Sequence, residues 1–89
     1  MYQGVNIYEL SCRYDARISF YGKAHVSEDD HKITLLSYLT PVVIIENSKV
    51  TLLDRWDESM TTLRHVKEFL KQYGYKADSK SQIASDYCN

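Results

Sequence analysis

At 89 residues, with 44% apolar residues and a formal net charge of −1, the chain is long enough for one domain with a modest core, and too short for a deep substrate cavity. That charge balance argues against a binder that works by neutralising phosphates along a basic stripe, so nucleic acid is not the expected partner. The opening MYQGVNIYEL has no basic segment followed by an apolar one, and the apolar run at 41–45 is far too short for a bilayer. A cytoplasmic protein with no membrane partner is the expectation.

Eight tyrosines stand against two phenylalanines. Tyrosine combines large contact area with a polar tip, which suits half-buried strands and wet interfaces. The two cysteines, Cys12 and Cys88, lie near opposite ends and form no CxxC pair, so neither a zinc ribbon nor a thioredoxin-type site is indicated and no disulfide is expected.

In chain order, residues 5–10 can supply a first strand. The segment RISFYGKAHV at 17–26 alternates, with Ile18, Phe20, Gly22, Ala24 and Val26 on one face, and predicts a half-buried strand. A polar, turn-prone cluster at 27–31 precedes a β-type run at 32–38, which predicts a hairpin. Pro41 marks the entry to a strand at 42–46, and Asn47 with Ser48 separates it from another at 50–53, a second hairpin. After Trp56 the period changes. Leu63, Val66, Phe69, Leu70 and Tyr73 form one apolar stripe, Arg64, Lys67, Glu68 and Lys71 fall on the flanks and back, and Gly74 suits the residue after a helix end. Residues 76–89 are polar and predict a frayed tail or a short docked turn. The fold expected is α+β: one domain over 1–75, with a twisted antiparallel sheet of about four strands in hairpins and one amphipathic helix across one face.

Two constellations carry candidate chemistry. The stretch SMTTLRHVKEFL at 59–70 places Ser59, Thr61 and Thr62 at the start of the helix, one turn from His65. A hydroxyl there accepts from backbone N–H groups that have no partner inside the helix, so capping accounts for the cluster more simply than nucleophilic catalysis. The stretch HVSEDDH at 25–31 places His25, Glu28, Asp30 and His31 around a turn, a donor set that Zn²⁺ would take, although it matches no standard ligand spacing. A solvated acidic hairpin tip is the simpler reading, so no cofactor is expected and Zn²⁺ is the alternative. Lys23 with Tyr21 and Arg17 makes a small basic and aromatic spot on one strand.

The words ARISFYGKAHV, TLLSYLTPVV and W..S.TTLRHVKEFL, spread over about two thirds of the chain, resemble an uncharacterised family of small proteins encoded by phages and prophages of Gram-positive bacteria. The matching positions include Phe20, Tyr21, Lys23, Ser37, Tyr38, Trp56, Thr62, His65 and Phe69. In that family the place of Leu39 is usually taken by Asn or Asp, so Leu39 is a departure that exposes an apolar contact point. The resemblance implies no established activity. With size and tyrosine content it leads to the expectation of a non-enzymatic accessory protein that binds a host protein. An inhibitor of a bacterial defence system of the CRISPR nuclease type is its concrete form, with Tyr21, Lys23, Tyr38, Leu39 and His65 as contact residues. The alternatives are a nucleic-acid binder using Arg17, Tyr21, Lys23 and Lys32, a small metal-binding protein, and a small hydrolase pairing His65 with Thr61 or Thr62.

Overall fold

The computed structural model describes residues 6–14, 20, 22–29 and 31–87. Period-2 patterning gives five short strands: β1 (Asn6–Glu9), β2 (Ala24–Glu28), β3 (Lys32–Ser37), β4 (Thr40–Glu46) and β5 (Lys49–Leu52). They pair in sequence order as one antiparallel meander. The sheet has five strands where about four were expected, because β1 joins β2 with Tyr8 opposite Val26. Helix α1 (Met60–Gln72) and helix α2 (Lys80–Tyr87) complete the α+β fold.

Of the strand predicted over 17–26, residues 17–19 and 21 lie outside the described residues, and β2 starts at Ala24. Gly22 adopts φ +75, in the left-handed region that glycine enters without steric cost, and the Lys23 N–H closes a turn onto the Phe20 carbonyl at 3.0 Å. The same alternation still buries Phe20, Ala24 and Val26. Downstream, β2 extends through Ser27 and Glu28, which were expected in the turn, and the register of β3 against β4 shifts between Leu35 and Leu36. Leu35 faces Val43 and Leu36 faces Pro41, so Val42 is the extra residue of a bulge. This is why the adjacent Val42 and Val43 are both fully buried, and a bulge is a place that tolerates a proline within a sheet.

Ser59 caps α1. Its backbone is extended and its hydroxyl accepts the Thr62 N–H at 3.1 Å. At the other end Gly74, at φ +86, lets the Tyr75 N–H reach the Leu70 carbonyl (2.9 Å) and the Gly74 N–H reach the Lys71 carbonyl (3.1 Å), the Schellman arrangement. The helix buries Val66, Phe69 and Leu70 as predicted, and also Thr62, His65 and Glu68. Its buried arc is therefore wider than its apolar stripe.

The segment expected as a frayed tail or short docked turn carries α2. Its Ile83 is fully buried and joins the same cluster as Phe69, Trp56, Val50 and Ala77, so the core runs past residue 75. Lys80 pairs with Asp57 at 3.5 Å and Gln82 accepts the Asp78 N–H, which ties the start of α2 to its surroundings. Truncating Ile83 to alanine should lower the unfolding free energy by about 2 to 5 kcal/mol. Urea denaturation checks this, and a variant as stable as the wild type would show that α2 does not contribute to the core.

Candidate functional site

One end of the sheet is built around the β3–β4 turn. Tyr38 and Leu39 form it alone, with φ of 53 and 65, both left-handed. A two-residue hairpin turn of this kind favours Asn and Gly, because a Cβ crowds the backbone there. Here it carries two bulky side chains, and Leu39 is 74% and Tyr38 51% exposed. The Tyr38 N–H donates to the Lys23 carbonyl at 2.8 Å, and the Lys23 ammonium stands 5.6 Å from the Tyr38 ring centre. Two separate segments thus meet at the tip.

Beneath the tip lies a polar seam between β3 and α1. Ser37 Oγ is 2.8 Å from His65 Nδ1 and 3.2 Å from Thr62 Oγ1, and Ser59 Oγ donates to Thr62 Oγ1 at 3.2 Å. Either atom can donate in the Ser37–Thr62 and Ser37–His65 contacts, so the hydroxyls and the imidazole form one connected chain. Phe20 packs edge-on against the His65 ring at 4.5 Å and Tyr38 lies tilted at 5.9 Å. A cavity of about 100 Å³ opens beside Ser37 and Thr62, with Arg55 at its rim engaged by Glu58 at 2.7 Å.

A hydroxyl donating to an imidazole is also the geometry that activates a nucleophile. In this chain Ser37 and His65 are buried at 3% and 0% exposure, so the pair is closed off from solvent in this arrangement. The expected pairing of His65 with Thr61 or Thr62 is not the one formed, since Nδ1 takes Ser37. His65 is likewise no surface contact residue: it supports the turn from below.

The opposite end of the sheet holds a second polar group. Tyr8 and Tyr73 both donate to Glu28 Oε2, at 2.9 and 2.7 Å, and their hydroxyls lie 2.5 Å apart. Burial raises the Tyr73 pKa well above its ordinary value, and the bonds to Tyr8 and Glu28 raise it further; burial also raises that of Tyr8. A cleft of about 300 Å³ beside Tyr73 is lined by Asp29, Lys32, Ile33, Ile45 and Tyr75 among others. Asp29 Oδ1 accepts the His31 and Lys32 N–H groups, both at 2.8 Å, which lowers its pKa. It serves its own turn.

The metal quartet does not assemble in this arrangement. His25 and Glu28, three residues apart on β2, alternate to opposite faces of the sheet, and Glu28 is committed to the two tyrosines. His31 is exposed in the turn, and Asp30 lies outside the described residues. Among the described residues no group of three or more His, Cys, Asp or Glu side chains could hold an ion. Of the expected basic face, Lys23 and Lys32 stand at opposite ends of β2, while Arg17 and Tyr21 lie outside the described residues. No helix among the described residues is long and apolar enough to cross a membrane.

Glu68 was placed by the helical pattern on a flank, yet it is 1% exposed. Its carboxylate accepts the backbone N–H groups of Arg13 (3.0 Å) and Tyr14 (2.8 Å) and a bond from Gln72, whose amide also donates to the Ser11 carbonyl. The signal in the sequence is its position one turn beyond His65 and beside Phe69, at the border of the stripe.

Residues 8–85 match DUF8033, described as a family of unknown function. The chain belongs to this family. Neither the curated proteins nor the solved structures gave a match. The family segment spans Tyr8, the 38–39 turn, the Ser37 and His65 seam and most of α2, so both ends of the sheet fall within it.

The hydroxyl cluster makes alkaline stability a readout. Because the folded pKa of Tyr73 is raised, its contribution to stability is complete below the ordinary tyrosine value near 10 and is lost as pH rises above it. The melting temperature of the wild type should fall more steeply above pH 10 than that of Tyr73→Phe; equal slopes would remove Tyr73 from the account. Stoichiometric Zn²⁺ and a chelator should both leave the melting temperature of untagged protein unchanged, because an ion stabilises only what it binds in the native state. A thermal shift abolished by His25→Ala with His31→Ala would restore the metal site.

Proposed function

We propose that the protein is not an enzyme and works by binding another protein, with the 38–39 turn at the centre of the contact. The observation that carries this reading is Leu39: an apolar side chain 74% exposed, held at a φ of 65. Left-handed backbone disfavours a non-glycine residue by roughly 1–2 kcal/mol, so both the conformation and the exposure oppose folding. Strain of this kind concentrates at sites of function. Tyr38 beside it, braced by Lys23 above and His65 below, has the rigid aromatic character of an interface anchor.

The support for a protein partner over nucleic acid is the net charge of −1 and the separation of Lys23 from Lys32. The resemblance to phage and prophage proteins supports a host protein as the partner, and inhibition of a defence nuclease of the CRISPR type as the outcome, in the cytoplasm of the bacterial cell.

The test separates stability from binding. The double change Tyr38→Asn with Leu39→Gly fits the turn's own preference, so it should raise the unfolding free energy by about 1–2 kcal/mol while abolishing capture of the partner from bacterial lysate and any effect on nuclease interference. Capture of the same partner by this more stable variant would overturn the placing of the contact. A wild-type chain that recovers no specific protein and leaves interference unchanged would overturn the binding reading itself.

A further inference from the structure

The two edges of the sheet are treated differently. At one, α2 packs against β5. At the other, all four residues of β1 are exposed, with Ile7 at 63%. Exposed strand edges are ordinarily blunted by lysine, proline, a bulge or a covering element, because their unpaired N–H and C=O groups template another strand. The sequence NIYE contains no lysine or proline, β1 pairs with β2 without a register shift, and no described element covers it. Its one charge, Glu9, accepts the Gly22 N–H at 2.9 Å.

Which backbone groups face outward follows from the ladder. The Leu10 N–H donates to the Ala24 carbonyl at 2.9 Å, and in an antiparallel pair alternate residues turn toward the partner strand. Leu10, Tyr8 and Asn6 therefore turn toward β2, where Tyr8 faces Val26 and Asn6 faces Glu28. Ile7 and Glu9 direct their N–H and C=O groups away from the sheet.

We propose that β1 is a homodimerisation edge, at which two copies pair antiparallel through Asn6–Glu9 about a two-fold axis at Tyr8. This register sets Ile7 opposite Glu9 of the second copy and Glu9 opposite its Ile7, so all four outward N–H and C=O groups of each copy's two residues are used. The two Tyr8 residues face each other as the closely spaced pair, on the side of the sheet that carries Glu28 and Tyr73. Registers with Glu9 opposite Glu9 place two carboxylates together and are disfavoured. With Ile7 opposite Ile7, the groups of Glu9 fall against chain beyond the strand. The self-complementary edge thus selects a second copy over an unrelated strand.

An edge of four residues covers less than the standard stable interface, so the association is weak and follows concentration. Sedimentation velocity should show the wild type passing from monomer to dimer between roughly 10 µM and 1 mM. Ile7→Pro removes only an outward N–H, so it should stay monomeric over that range and melt near the wild type. Should that variant unfold, the charge pair decides: Ile7→Lys should tighten the dimer and Ile7→Asp weaken it, each by roughly threefold to tenfold, because the facing residue is Glu9. A wild type that stays monomeric to the top of the range, a dimer kept by Ile7→Pro, or shifts of the same sign for lysine and aspartate would each overturn the proposal.

Discussion

The architecture depends on α1 burying more than its apolar stripe. Val66, Phe69 and Leu70 close the core over the inner face of the sheet, but the arc they define also takes Thr62, His65 and Glu68 out of water. A polar group removed from water without a partner is destabilising by a few kcal/mol, so each of these side chains fixes a second piece of chain. His65 and Thr62 hold the end of β3 through Ser37, and Glu68 with Gln72 holds residues 11, 13 and 14. The helix is therefore not only a lid on the sheet. It sets the positions of the segment after β1 and of the turn after β3.

That coupling explains why the 38–39 turn can hold an unfavourable conformation. Tyr38 and Leu39 are left-handed and exposed, yet the residue before them is anchored through a buried serine and Tyr38 itself is bonded to Lys23. Strain persists where the surroundings over-determine the backbone. The β4–β5 turn offers the comparison: Asn47 and Ser48 adopt nearly the same positive φ, but asparagine tolerates it and both side chains suit water. Positive φ is thus ordinary at one turn and demanding at the other.

The far end is organised by a carboxylate. Glu28 gathers Tyr8 from β1 and Tyr73 from the end of α1, so the edge strand, its neighbour and the helix terminus share one acceptor. This holds β1 on the sheet by its inward residues and leaves its outward backbone without a described strand partner. In the acidic, histidine-bearing hairpin Glu28 and Asp29 each serve a local hydrogen-bonding need, one for tyrosines and one for backbone N–H groups.

Local pattern determined much of the fold. Alternation located β2 to β5 in outline, the asparagine and serine at 47 and 48 marked a hairpin, the 3.6-residue period located α1, and Ser59 and Gly74 marked its two ends. These features depend on residues near one another in the chain, which is why they could be read there. The Gly22 turn and the helix within the polar tail were not legible because distant packing outweighs local signals there: a left-handed glycine interrupts the alternation just before β2, and Ile83, Ala84 and Tyr87 dock α2 on a core built by other segments. Only the tertiary structure decided the site. Ser37 meets His65 across 28 positions, Tyr8 meets Tyr73 across 65, and Glu68 reaches Tyr14 across 54. No spacing rule encodes such pairs, because a hydrogen bond formed between distant segments depends on how the sheet and helix pack. The sequence determined which side chains were available; the packing of α1 on the meander decided which of them met.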